Sequence, residues 1–329
     1  MKALVTGAAG FIGSHVARQL LKQNLEVVAL DDLSGGFLEN VPGAAKWVQG
    51  SVTDYDHLQS LFEIEKFDYV FHLAAYAAEG LSHFIRRFNY ITNLLGSVNL
   101  INLSVLYGIK CFVFTSSIAV YGSGQVPMTE GLVPQPEDPY GISKAAIEAD
   151  LKAAQHQFGL NHIIFRPHNV YGEHQNIGDK YRNVIGIFMN QILAGQPLTV
   201  YGDGNQTRAF SYIQDVAPVI AQSVFNQDAY GEIFNIGGDQ PCTVQELAYL
   251  VSRALGVIEP RITYLAPRKE VLHAYASHEK VRRFFNLPSP VPLEAGLLLM
   301  ADWVKRVGQR PLKRFTGIEV PVGMPENWS

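Results

Sequence analysis

The sequence has few of the features that mark secreted, membrane-spanning or nucleic-acid-binding proteins. Only two of its 329 residues are cysteines, so it contains no disulfide framework and no cysteine metal pattern. No apolar run approaches the ~20 residues that a membrane-spanning helix needs. The formal net charge is -4, and Lys and Arg form no basic tract, which argues against nucleic acid as a partner. The chain starts directly on a predicted strand, so we expect no signal peptide and a cytoplasmic location.

What the sequence does have is apolar content and length. Its hydrophobic fraction is 47%, enough for a large buried core, and its length predicts two domains or one domain with a substantial appendage. Cys111 lies in the apolar run KCFVF and is predicted to be a small core residue rather than a ligand.

The N-terminal stretch KALVTGAAGFIGSH carries the most specific local pattern. A short apolar run leads to Gly7, Gly10 and Gly13, and apolar residues then recur at helical spacing. This pattern predicts a strand, a tight turn and a helix whose free N–H groups face the turn, which is an anion site suited to a pyrophosphate. Gly7 permits the turn, Gly10 lets phosphate approach the backbone, and Gly13 lets the helix pack closely. The alternative is a strand-to-helix turn without a ligand.

A second apolar run, LEVVAL, ends at Asp31 and Asp32, near the position where an acidic residue binds the adenosine ribose of a dinucleotide. A carboxylate there accepts hydrogen bonds from the ribose hydroxyls and repels a 2′-phosphate. The sequence therefore predicts NAD rather than NADP as cofactor. The alternative is that Asp31 only caps the next turn.

Strands and helices alternate through the first half of the chain. Further strands are predicted at 46–49, 68–73 and 110–115, with a long helix over 91–106. This rhythm predicts an α/β fold of the Rossmann type, a doubly wound parallel sheet whose ligands bind at the carboxyl ends of the strands. We assign residues 1–167 to the NAD-binding domain. Residues 168–329 are assigned mainly to a smaller α/β substrate-binding domain, with part of that chain returning to the sheet.

Three polar residues form a predicted catalytic group. Tyr140 and Lys144 are four residues apart, so they share one face of the helix that opens at Pro139. A lysine ammonium one turn away favours the phenolate and is expected to lower the pKa of the tyrosine. Ser117 follows the fifth strand and can hydrogen-bond the substrate oxygen beside Tyr140.

Six motifs together resemble one known family. TGAAGFIGSH, LDDL, HLAA, TSSIAVYG, YGISK and RPHNVYG are similar to those of the extended short-chain dehydrogenase/reductases, specifically the NAD-dependent nucleotide-sugar epimerases and dehydratases. The resemblance covers nearly the whole chain. It implies that Ser117, Tyr140 and Lys144 are catalytic. The cofactor-binding residues that we predict are Gly7, Gly10, Phe11, Ile12, Gly13, Asp31, Asp32, Ser51, Val52, Leu73, Ala74, Ala75, Tyr140, Lys144 and Pro167.

Departures from the family motifs narrow the implied chemistry. The sugar 4,6-dehydratases typically have Asp-Glu after the catalytic Ser or Thr, where this chain has Ile118 and Ala119. The GDP-mannose 3,5-epimerases have a cysteine at the position of Ala119. Since neither Ile nor Ala transfers protons, what remains resembles the UDP-glucose 4-epimerases.

The same resemblance implies a set of substrate contacts. Those predicted are Ser117, Tyr140, Asn169, Asn183, Val184, Thr199, Tyr201, Arg208 and Arg268. The segment containing Arg208 is predicted to be a loop that holds phosphate, with a surface salt bridge as the alternative. Glu79, in the loop after the fourth strand, faces either a sugar hydroxyl or solvent. The segment 273–276 matches a region that gates N-acetyl groups, with Ala274 or Tyr275 at the gate.

The remaining expectations concern catalysis, assembly and rival functions. His168 and His174 are not assigned catalytic roles, and no metal is expected.

The apolar helices from Ile91 and Tyr140 resemble those that pair across the family's dimer interface, so we expect a homodimer. The tail from Lys313 is expected to lie on the surface. Alternatives are an enzyme for UDP-N-acetylhexosamine, UDP-uronic acid, GDP- or CDP-sugars, or a non-catalytic NAD-binding regulator.

Overall fold

The computed structural model describes residues 1–268, 271–325 and 328. In this part of the chain the strands are β1 (Lys2–Thr6), β2 (Glu26–Asp31), β3 (Lys46–Gln49), β4 (Tyr69–His72), β5 (Cys111–Thr115), β6 (His162–Pro167), β7 (Val170–Tyr171), β8 (Leu198–Tyr201), β9 (Thr207–Ala209), β10 (Ser211–Tyr212), β11 (Ile233–Ile236), β12 (Pro241–Thr243), β13 (Ile262–Leu265) and β14 (His273–Ala274).

The α-helices of the same residues are α1 (Phe11–Lys22), α2 (Tyr55–Glu65), α3 (Glu79–Ser82), α4 (Arg86–Asn89), α5 (Gly96–Leu106), α6 (Pro139–Phe158), α7 (Val184–Leu193), α8 (Ile213–Gln222), α9 (Val244–Ala254), α10 (Glu279–Phe285) and α11 (Leu293–Val307). Short 3-10 turns span Leu38–Asn40, Ile118–Tyr121, Ser223–Phe225 and Gln227–Ala229. No helix among the described residues is both long enough and apolar enough to cross a membrane.

Seven of these strands form a parallel sheet in the order β11-β6-β5-β4-β1-β2-β3. Apolar side chains cover both faces. Leu4, Val70 and Phe112 belong to a core with residues of α2, α5 and α6, whereas Val5 and Phe71 face residues of α1 and α8. Burial on both faces explains why these strands read as continuous apolar runs. The predicted α/β doubly wound fold of the Rossmann type is confirmed.

The helix that carries the predicted catalytic pair has clear local start and stop signals. Asp138 caps α6 by accepting a hydrogen bond from the Gly141 N–H at 2.9 Å, and Pro139 occupies the first turn. The helix ends at Gly159, whose φ of +75° is readily adopted by glycine. Both signals are local, so the start of this helix is predictable from sequence.

The predicted single helix over 91–106 is longer and less regular than expected. Helical structure begins at Arg86, and a π-helical segment over Tyr90–Leu95 precedes α5. Asn89 donates hydrogen bonds to the Pro139 carbonyl and to Ser143, and Asn93 accepts one from the Tyr76 N–H. These bonds join α4 to α6 and the π segment to the loop after β4, and both α6 and that loop line the site described below.

The second half of the chain forms small sheets and helices over the carboxyl ends of the main sheet. β8 pairs with β13, β9 pairs with β12 and β14, and β11 returns to the main sheet beside β6. The prediction of a loop around Arg208 is wrong, because this residue lies in β9, opposite Cys242 of β12 and Ala274 of β14.

The tail from Lys313 lies mostly on the surface, as predicted, but it is held by specific contacts and Trp328 near its end is buried. The Glu319 carboxylate accepts hydrogen bonds from the backbone N–H groups of Arg87 and Phe88 at 2.7 and 2.8 Å. The ring of Phe315 packs against Phe88, and Trp328 is only 3% exposed. Phe315, Ile318 and Met324 are partly buried in the same apolar cluster as Trp328, and this packing stabilises the position of an otherwise exposed tail.

Candidate active site

A cavity of about 1220 Å³ lies at the carboxyl ends of the main-sheet strands, under the second half of the chain. Every residue predicted above to bind cofactor or substrate lines it. The structure therefore brings together residues from position 7 to position 268. The role of each one remains a prediction.

Glycines at the start of α1 leave the space that a pyrophosphate needs. Gly7 has a φ of +70°, and a Cβ added there would lie 2.7 Å from the Ala74 nitrogen. A Cβ on Gly13 would lie 2.0 Å from the Gly7 carbonyl oxygen. Gly10 precedes the helix, and no described side chain caps that end. The bare backbone at a helix N-terminus fits the phosphates of a dinucleotide.

Asp31 lies at the end of β2, where the adenosine ribose is expected. One carboxylate oxygen accepts a hydrogen bond from the Ala9 N–H at 3.1 Å, and the other accepts one from the Leu33 N–H at 2.8 Å. The predicted turn-capping role is thus present. A carboxylate has about four acceptor sites, so ribose hydroxyls can also bind. Burial raises the pKa of Asp31, and the bonds from Leu33 and Ala9 oppose that rise.

Ser117, Tyr140 and Lys144 meet at one wall of the cavity. The Ser117 side chain favours the charged form of the Tyr140 phenol, and the Lys144 ammonium lies 5.7 Å from the centre of the tyrosine ring. Lys144 Nζ donates a hydrogen bond to the Thr115 carbonyl oxygen at 2.8 Å. Tyr140 and Lys144 are buried in the protein. The arrangement can therefore move a proton between the phenol and an oxygen held beside Ser117.

The expectation that Lys144 lowers the pKa of the phenol is wrong for the protein alone. Burial raises the pKa of Tyr140 well above its ordinary value, and the hydrogen bond with Ser117 only partly opposes this. Burial also lowers the pKa of Lys144 to about 7, against an opposing effect of Glu148. Both groups are removed from water in the folded protein. A lysine whose pKa lies near neutral pH is only partly protonated, so it is a weak source of positive charge.

A buried polar network supports this wall from behind. The Glu148 carboxylate accepts hydrogen bonds from Ser116 Oγ at 2.6 Å and from Arg166 Nε at 2.9 Å. Arg166 also donates to the Tyr121 hydroxyl at 2.7 Å. Removing one partner of such a buried pair typically costs about 3–5 kcal/mol. The network therefore fixes α6 against β5 and β6, and with them the positions of the catalytic residues.

The end of the cavity that is predicted to hold the sugar includes residues that the sequence does not single out. Arg182 lies over the ring of Tyr76 at 5.2 Å, and its Nε donates to Asp179 at 2.6 Å. His83, near Glu79, also lines the cavity. The polar loop containing Arg182 was recognisable, but no spacing marked this arginine among its polar neighbours.

The predicted nucleotide end is built from strand and loop residues. The Arg268 guanidinium lies 3.3 Å from the centre of the Tyr201 ring. Arg208 donates hydrogen bonds to the backbone oxygens of Val271 and Leu272 at 2.6 and 2.9 Å. These bonds draw the segment after Arg268 toward β9. The two arginines are therefore placed at one end of the cavity by contacts between distant parts of the chain.

His168 and His174 are removed from water in the folded protein. His168 Nε2 lies 2.9 Å from His278 Nε2, and burial lowers the pKa of His168 to about 3. Burial also lowers the pKa of His174 to about 3. Across the described residues, no three His, Cys, Asp or Glu side chains are grouped closely enough to hold a metal ion.

This chain is similar in sequence to the proteins of one known family. Residues 3–237 match the model of the NAD dependent epimerase/dehydratase family. The UDP-glucose 4-epimerase of Mycolicibacterium smegmatis is 34% identical over 94% of this chain and 100% of its own length.

Two solved structures are similar over most of this chain. The UDP-glucose 4-epimerase of Thermotoga maritima with UDP-glucose has a TM-score of 0.88 at 32% identity, covering 93% of this chain and 99% of its own. The UDP-glucuronic acid 4-epimerase of Bacillus cereus, in complex with UDP-glucuronic acid and NAD, has a TM-score of 0.85 at 27% identity, covering 93% and 100%.

Proposed function

Because the chain belongs to the NAD-dependent epimerase/dehydratase family, we propose that it is a nucleotide-sugar 4-epimerase that interconverts UDP-glucose and UDP-galactose. The observation that carries the proposal is the wall formed by Ser117, Tyr140 and Lys144 in the cavity that also contains the glycine turn. Beside this wall, Ile118 and Ala119 offer no proton-transfer group. That combination supports proton and hydride transfer at one sugar carbon rather than elimination of water.

The cofactor is NAD, and the residues present fit it. The glycine turn leaves room for the pyrophosphate, and Asp31 stands where a ribose would bind and a 2′-phosphate would be repelled. When bound, NAD supplies a nicotinamide ring that accepts and returns a hydride and whose positive charge favours the phenolate of Tyr140.

The residues of the chain then have defined roles. Tyr140 takes the proton of the sugar C4 hydroxyl and later gives a proton back to the C4 oxygen. Because the 4-keto sugar turns over between these two transfers, the hydride would return to the opposite face and C4 would be inverted. Ser117 holds that oxygen by a hydrogen bond. Lys144, one turn along α6, is positioned by its bond to the Thr115 carbonyl to bind ribose and to stabilise negative charge on the phenol when protonated.

The substrate contacts that we propose lie at the other end of the cavity. Asn169, Arg208 and Arg268 bind the diphosphate. Asn183, Val184, Thr199 and Tyr201 flank the base. The lining of the cavity by all seven supports these roles. A turning 4-keto sugar needs a pocket that holds mainly the diphosphate, and the concentration of arginine at that end supports such a division.

One observation bears on a uronic acid as the sugar. Arg182 at the sugar end is a candidate partner for a carboxylate, as a UDP-uronic acid would require. However, its Nε is already bonded to the Asp179 carboxylate. Since that ion pair offsets its positive charge, the pocket favours a neutral hexose.

The function is tested by incubating the protein with UDP-glucose, UDP-galactose, UDP-N-acetylglucosamine, UDP-glucuronic acid, and GDP- and CDP-hexoses, and by resolving the products by NMR. We expect UDP-glucose and UDP-galactose to interconvert to the same equilibrium mixture from either side. Formation of a 4-keto-6-deoxy sugar would instead indicate a dehydratase. No conversion in any sample would favour a non-catalytic regulator.

We also propose that the protein is a homodimer. Leu95, just before α5, and Leu106, its last residue, are 50% and 68% exposed, and Ile142 of α6 is 39% exposed. Such side chains on adjacent helices suit burial against a second copy. Light scattering should give twice the chain mass of 36.4 kDa. A monomer mass at micromolar concentration would contradict this proposal.

A further inference from the structure

The described part of the C-terminal tail, residues 313–325 and 328, makes contacts with both halves of the cleft. At its start, the Lys313 N–H donates to the Gly178 carbonyl at 3.1 Å, and the Phe315 N–H donates to the Tyr181 hydroxyl at 3.0 Å. Further along, the N–H groups of Glu319 and Val320 both donate to the Phe84 carbonyl. The tail therefore runs from the substrate half of the chain across to the cofactor half.

Trp328 contacts residues of both halves of the chain. Its ring meets Phe84 edge to face at a centroid distance of 6.1 Å and Tyr181 at 5.4 Å. The Arg268 guanidinium lies 4.4 Å from its centre. A Cβ on Gly80 would lie 3.0 Å from the benzo edge of the indole. The indole thus rests directly on the backbone of α3.

The indole N–H of Trp328 is the unusual feature. It is buried, and among the described residues no hydrogen-bond partner is present for it. Trp328 is 3% exposed and lines the cavity that holds the proposed substrate site. A buried N–H without a partner is costly, and buried tryptophans usually satisfy theirs. A donor left over at the wall of a ligand cavity points to an acceptor on the ligand.

We propose that Trp328 is a substrate-binding residue whose indole N–H donates a hydrogen bond to a diphosphate oxygen of the nucleotide sugar. This inference rests on the proposed function. The neighbouring Arg268, which we assign to the diphosphate, places an anionic acceptor within the same corner of the cavity.

The test measures binding by calorimetry, which needs no turnover, with Trp328→Phe in the NAD-bound protein. The nucleotide sugars of the panel above are titrated first, and the one that binds is then compared with its nucleoside diphosphate and monophosphate. Loss of a hydrogen bond to a charged oxygen should raise the Kd of the sugar and of the diphosphate about tenfold. The monophosphate should be affected less than about threefold, because it lacks the second phosphate.

The matched control is Trp47→Phe, the same substitution in β3, away from the cavity. Its Kd values should equal those of the wild type. If Trp328→Phe also binds the sugar and the diphosphate as the wild type does, Trp328 makes no such bond while the proposed function stands. If the wild type binds none of the panel, the proposed function and this contact are both rejected.

A second measurement leaves Trp328 intact, in case Trp328→Phe melts at a much lower temperature than the wild type. The double variant Trp47→Phe/Trp303→Phe has Trp328 as its one tryptophan. Titration with the same nucleoside diphosphate should shift the wavelength or intensity of its emission. Emission that stays constant while calorimetry shows binding would place Trp328 outside the site and overturn the proposal.

Discussion

Tyr140→Phe is expected to lower turnover by about 10³-fold or more while NAD stays bound. The substitution removes one oxygen atom, the atom that exchanges a proton with the C4 hydroxyl, and general acid–base groups typically contribute 10²- to 10⁴-fold. The ring itself remains, so packing at the start of α6 is preserved. Turnover is measured by NMR with the substrate found in the panel, and retained NAD is measured after denaturing the purified protein.

Tyr107→Phe provides the matched control. Tyr107 follows α5, is 37% exposed and does not line the cavity, so its substitution should leave turnover within about twofold of the wild type, since remote surface changes have small effects. Wild-type turnover in Tyr140→Phe would remove the phenol from the chemistry. Loss of NAD from that variant would show instead that the tyrosine acts mainly in cofactor binding.

The second large effect is expected from Gly13→Ala. The added methyl group would lie 2.0 Å from the Gly7 carbonyl oxygen, far inside van der Waals contact, and both atoms belong to the backbone of the phosphate turn. Either α1 moves away from the turn or the turn opens. We expect NAD affinity to fall at least about 100-fold and the unfolding free energy to fall by about 1–3 kcal/mol, the usual range for overpacking.

Gly43→Ala is the control for the intrinsic effect of replacing glycine by alanine. A Cβ at Gly43 meets no atom within 4 Å, so NAD affinity and stability should stay close to those of the wild type. NAD binding is measured by calorimetry on protein stripped of cofactor, and unfolding by denaturant titration. If Gly13→Ala binds NAD as tightly as the wild type, the turn is not the pyrophosphate site.

Tyr140→Phe and Gly13→Ala test two different sequence patterns, the spacing of the catalytic pair and the spacing of the glycines. The glycine spacing is steric, and the structure accounts for it directly, because Gly13 contacts Gly7 within the same short segment. The Tyr140–Lys144 spacing also holds, as both lie on one face of α6. What the spacing did not reveal is the electrostatics: Lys144 bonds the Thr115 carbonyl, and burial, not the lysine, dominates the pKa of Tyr140.

The structure around the proposed substrate-binding residues is harder to predict from the sequence. Glycine and asparagine gathered with Arg208 predict a loop, yet pairing with β12 and β14 makes this residue part of a strand. Strand pairing between distant segments overrides local composition. Trp328 carried no signal at all, since its contacts, from Gly80 to Arg268, lie at least 60 residues away in the chain.

The sequence by itself determined the parallel sheet, the phosphate turn after β1, the acidic residue after β2 and the spacing of the catalytic pair. Each of these depends on periodicity or sterics within one short segment, which neighbouring residues specify. The tertiary structure alone decided which groups lose water, how Arg182 is paired, where the π segment begins and that the tail returns to the cleft. Those outcomes depend on which distant surfaces pack together, and desolvation is a property of that packing rather than of any local pattern.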